Sequence, residues 1–127
     1  MFPSHDRRGN LELDFIDDSG DVIESPITIT TDPTIDNEHI GSVAFGKMSD
    51  GTEIVVVAYE QDTSGKIFLY IRETDASTRS FLTSKLEFDT GITGTQPHIA
   101  QIDGDNWALC YTNGSDVLKG QSISITK

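Results

Sequence analysis

The chain has little of what usually fixes a small domain in place. Among 127 residues there is one cysteine, Cys110, so neither an internal disulfide nor a cysteine cage for a metal can form, and packing must hold the fold. Lysine and arginine number 9 against 21 acidic residues, a formal net charge of −12. Affinity for nucleic-acid phosphates comes mostly from basic side chains displacing condensed cations, so DNA and RNA are not expected partners. The same repulsion argues against anionic membrane surfaces. Long apolar runs are missing as well: nothing approaches the roughly 20 residues a helix needs to cross a bilayer. Met1–Asn10 holds Arg7 and Arg8 with no apolar stretch behind them, so no signal peptide is evident and the segment is read as disordered. A soluble protein of unassigned compartment is expected. Residues 11–127 have the length of a single domain with one moderate core.

Helical periodicity is nearly absent, whereas period-two alternation recurs, which predicts an all-β fold. Leu11, Leu13 and Phe15 alternate with Glu12 and Asp14, placing apolar side chains on one face of a strand. Asp17, Asp18, Ser19 and Gly20 supply turn chemistry after it, and Ile27 and Ile29 alternate with threonines in the next strand. Val43 and Phe45 open a third strand, and Ile54–Tyr59 is a continuous β-branched run, the pattern of a central strand buried on both faces. Further strands are predicted around Ile67–Ile71, Leu86–Phe88, His98–Ile102, Trp107–Tyr111 and Ser122–Ile125.

The same order of strands and turns returns after somewhat under sixty residues, a spacing at which repeat architectures are considered. Phe15–Gly20 corresponds to Arg72–Thr78, Ile27–Thr31 to Leu86–Thr90, Glu38–Ile40 to Gln96–His98, and Asp50-Gly51 to Asp103-Gly104. Two diverged copies of a four-stranded antiparallel unit are therefore expected, propeller-like in character, with a two-sheet β-sandwich as the alternative. Closed propellers need at least about four blades, so a propeller reading implies either self-association into a dimer or trimer, or a piece of a longer chain.

The stretches Leu69–Ser77, Leu86–Thr90, Gln96–Ala100 and Asp103-Gly104 with Trp107–Tyr111 resemble the blade-type repeats of large bacterial surface and calcium-associated secreted proteins. That resemblance implies a propeller-like role in adhesion or display. The chain departs from the pattern at Thr78, where a turn glycine is usual, and in lacking a glycine-aspartate nonapeptide array. Asp50-Gly51 and Asp103–Trp107 also resemble the aspartate boxes of sialidase-like propellers, a structural motif in which a turn aspartate caps a hairpin above a packed aromatic.

Candidate site residues fall into three groups. Asp17, Asp18 and Asp21, and Asp103 and Asp105 with Asn106, offer the oxygen ligands that Ca²⁺ takes, although aspartate at turns has a conformational explanation of its own. His39 and His98 hold equivalent places in the two copies and can line one radius of a ring as ligand contacts. Trp107, Tyr59 and Tyr111 can stack on sugar rings, with core packing as the competing use. No catalytic residue is singled out. A sialidase needs three convergent arginines, and of the four here, Arg7, Arg8, Arg72 and Arg79, the first two lie in the terminal segment. The expected function is a non-catalytic binding or assembly module recognising a carbohydrate or protein through loops at strand ends. A glycosidase-type hydrolase or a structural segment of a larger surface protein is the alternative.

Overall fold

A computed structural model describes residues 2–5, 11–14, 19, 27–28, 39–60, 65–75, 77–78 and 80–125. Those residues form strands and turns only, so the fold is all-β, and every strand pair is antiparallel.

A middle sheet holds β4 (His39–Lys47), β5 (Glu53–Glu60), β6 (Lys66–Asp75) and β7 (Ser80–Thr93) in simple meander order. A C-terminal sheet holds β8 (Thr95–Asp103), β9 (Asn106–Thr112) and β10 (Leu118–Ser124), also a meander. A third sheet has the order β1 (Phe2–His5), β2 (Leu11–Asp14), β3 (Ile27–Thr28). Part of the amino-terminal segment expected to be disordered is thus a strand. It pairs with β2 from Phe2↔Asp14 to His5↔Leu11, and Pro3, which has no N–H to give, sits in an edge strand where that loss is tolerated.

The β-branched run behaves as its pattern predicts: Ile54–Tyr59 is buried without interruption. Alternation sends Ile54, Val56 and Ala58 to one face, where they join Ile67, Leu69, Ile71, Ile99, Trp107, Leu109 and Ile125 in the main core. Val55, Val57 and Tyr59 go to the other face with Tyr70, forming a second cluster flanked by Val43, Phe68 and Phe81. Burying side chains of this size stabilises by about 1.5–3 kcal/mol each, so a sheet buried on both faces concentrates the stability of the molecule.

From β7, the outer edge of the middle sheet, the chain crosses to β8, which lies against β4 and β5 near the opposite edge. The two sheets therefore stack face to face, with the edge strands β4 and β8 in closest approach. Small residues make that approach feasible. A Cβ added at Gly46 would lie 2.6 Å from the Trp107 ring and 2.7 Å from Gln101 Oε1; at the crossover into β8, one added at Gly94 would lie 2.7 Å from Tyr111. Leu86–Phe88 was expected as a short strand; it is the middle of β7, which runs through 14 residues.

Candidate functional site

The loop end of the sheets is assembled from two hairpins of different construction. Lys47↔Glu53 leaves Met48–Thr52 as the β4–β5 loop, and Gly51 adopts φ +90°, a conformation glycine takes without strain. Asp103↔Asn106 leaves only Gly104 and Asp105 in the β8–β9 turn. The two loops lock together. Ser49 Oγ donates to Asp105 Oδ1 at 3.0 Å or Oδ2 at 2.9 Å, and the Ser49 N–H donates to Asp105 Oδ1 at 3.2 Å. One turn lower, Gln101 Nε2 donates to the carbonyls of Lys47 at 2.7 Å and Gly104 at 2.8 Å. Below that, the Ile99 N–H donates to Ser42 Oγ at 2.7 Å.

Beside this platform lies a shallow cleft of about 410 Å³, lined by Gly51, Thr52, Glu53, Glu73, Thr74, Asp75 and Leu82. Two of its features are chemically informative. Thr74 is only 4% exposed, and its hydroxyl has no hydrogen-bond partner, an arrangement that costs about 1–3 kcal/mol when a polar group is left dry. Asp75, in contrast, is committed to its own turn. Its Oδ1 accepts from Ser77 Oγ at 2.6 Å, from the Ser77 N–H at 3.0 Å and from the Thr78 N–H at 3.3 Å. The Ser77 hydroxyl first, and the Thr78 N–H after it, hold this carboxyl below its ordinary value of 3.8.

The residues expected to form sites are distributed as follows. Asp103 accepts from Asn106 Nδ2 at 2.9 Å, and both carboxylate oxygens of Asp105 face Ser49 of the β4–β5 loop, so both aspartates have structural partners. Asp17, Asp18 and Asp21 lie outside the described residues. Among the described residues, no group of three or more His, Cys, Asp or Glu side chains is placed to hold a metal ion.

His39 begins β4, opposite Glu60, and His98 lies on β8 opposite Cys110, with its side chain exposed. Trp107 and Tyr59, considered as sugar platforms, are enclosed instead, at 0% and 1% exposure, because their alternation points them into the two cores. Tyr111 is half-buried against the main core. The Trp107 ring packs against Gly46 of β4, and its indole N–H has no hydrogen-bond partner. Arg72 is engaged locally: its Nε donates to the Leu82 carbonyl and its guanidinium to the Tyr70 hydroxyl at 3.1 Å.

Sequence reading missed Thr74, because a threonine flanked by acids on a strand looks solvated. It also missed Ser42, Gln101 and Ser49, polar residues whose partners are more than fifty positions away. No protein-family model matches the chain, and no curated protein or solved structure matches it.

Proposed function

We propose that the chain is a non-catalytic binding module of propeller-like, blade-type repeats, and that it takes a carbohydrate at the cleft beside the locked hairpins. The observation that supports this reading is the Thr74 hydroxyl: a dry polar group at a cleft edge is completed by a ligand that brings hydroxyls of its own. Glu53 and Glu73 in the cleft lining are acceptors for further sugar hydroxyls, and Leu82 offers an apolar contact. The platform formed by Ser49, Asp105 and Gln101 keeps one wall rigid, so little ordering is needed on binding. Two antiparallel meanders stacked face to face fit the two-sheet sandwich, and the blade reading rests on their succession, the chain passing from β7 at one edge of the first to β8 at the edge of the next.

Glycan-array binding with the intact chain and with Thr74→Val tests the proposal. The wild-type chain is expected to bind one glycan class saturably, and Thr74→Val to bind about tenfold more weakly, the loss of one buried hydrogen bond, while remaining folded. Absence of binding to any glycan, or equal binding by the two proteins, would remove the carbohydrate assignment.

A further inference from the structure

In the middle sheet, the three-stranded meander β4-β5-β6 is completed by β7 on the outer side of β6. The C-terminal sheet repeats that meander as β8-β9-β10, and among the described residues β10 is its outer edge. This edge has few of the devices that protect such strands. It pairs with β9 through seven consecutive residues, Leu118↔Thr112 to Ser124↔Asn106, with no register shift, whereas the β4–β5 pairing contains one and the β6–β7 and β8–β9 pairings two each. It contains no proline, and a straight, unbulged edge presents a row of N–H and C=O groups ready for another strand. Leu118 is 75% exposed and Val117 48%. The charge is equally distinctive: residues 117–127 contain two lysines, Lys119 and Lys127, and no acid, in a chain of net charge −12.

We infer that β10 accepts a fourth strand from a partner polypeptide by antiparallel addition, and that the incoming segment alternates apolar with acidic residues. The molecule contains the template for it. On β6, the strand in the corresponding place is β7, with the sequence Leu86-Glu87-Phe88-Asp89-Thr90, in register from Ile71↔Leu86 to Phe68↔Asp89. Lys66 Nζ lies 3.6 Å from Asp89 Oδ2, and Thr90 Oγ1 donates to the Ile67 carbonyl at 2.6 Å. Lys119 on β10 is the counterpart cation, awaiting a carboxylate on the strand beside it. A second copy pairing β10 with β10 offers no carboxylate to Lys119, so the charge of this edge favours a heterologous segment that carries one. Backbone hydrogen bonds supply affinity in this mode, and alternate side chains supply selectivity.

The probe is a labelled synthetic peptide with the sequence of residues 85–93, titrated into the full chain and followed by anisotropy and by amide hydrogen exchange. Saturable binding is expected, with new protection confined to Leu118–Ser124. Lys119→Glu in the chain, or Asp89→Lys in the peptide, is expected to weaken binding about threefold, the scale of an exposed ion pair. Absence of saturable binding, or protection gained elsewhere, overturns the proposal. So does concentration-dependent protection of β10 without peptide, which makes a second copy the occupant. Thr74→Val leaves peptide binding unchanged and Lys119→Glu leaves glycan binding unchanged, so this proposal and the carbohydrate proposal fail separately.

Discussion

The middle and C-terminal sheets share a meander but differ in how they meet water, and the difference shows where the stability of this protein resides. β5 buries six successive residues, Ile54–Tyr59, because the middle sheet has a core on each face. β9 buries only Trp107 and Leu109 of its seven, and its other face displays Ala108 and Cys110. The same strand order is thus a hydrophobic slab in one place and a one-sided cover in the other. Identical topology does not impose identical energetics; the number of faces covered does.

Substitutions across the two sheets sharpen this contrast. Removing a fully buried side chain, by Trp107→Ala or Leu69→Ala, is expected to cost about 3–5 and 2–5 kcal/mol respectively, read as a lower urea midpoint at unchanged slope. Gly46→Ala forces a methyl group into the Trp107 ring and is expected to cost about 1–3 kcal/mol in the same measurement. Thr74→Val has the opposite sign: exchanging an unpartnered buried hydroxyl for a methyl is expected to be neutral or to stabilise by about 1 kcal/mol.

Acid provides a finer probe at the end of β6. Asp75 has a folded pKa below its unfolded value, so the stability it contributes is present above the unfolded pKa and is lost as pH falls through the folded one. Carboxyl titration by NMR should place its midpoint below 3.8, and Asp75→Asn should make the acid side of the stability curve flatter. The smallest effect belongs to the open edge. Leu118→Ala, at a position 75% exposed, should change stability by no more than about 0.5 kcal/mol.

The class of fold was legible because alternation is a direct record of burial: Ile54–Tyr59, Ile67–Ile71 and Trp107–Tyr111 lie within β5, β6 and β9. Register between the two copies expected from the sequence was not. Aligning Asp50-Gly51 with Asp103-Gly104 sets Val56 beside Leu109, yet the first hairpin has a five-residue loop and the second a two-residue turn. A displacement of one residue turns a side chain to the opposite face, so Val56 and Leu109 lie in one core and approach it from opposite sheets. The cleft was equally hidden. Nothing in the order Glu73-Thr74-Asp75 records that the middle residue is dry, because that depends on what folds above it.

Three side-chain links between the two stacked sheets run between residues 42–49 and 99–105, at Ser42–Ile99, Lys47–Gln101 and Ser49–Asp105. They form a seam along the neighbouring strands β4 and β8 and the loops at their ends. Under mechanical load such a joint is anisotropic. A force that opens the sheets from β7 and β10 breaks these links one after another, like a hinge peeled from its end, whereas a pull along the strands must break them together. Stretched by its termini, the protein should therefore resist in proportion to how far the pull is aligned with that seam.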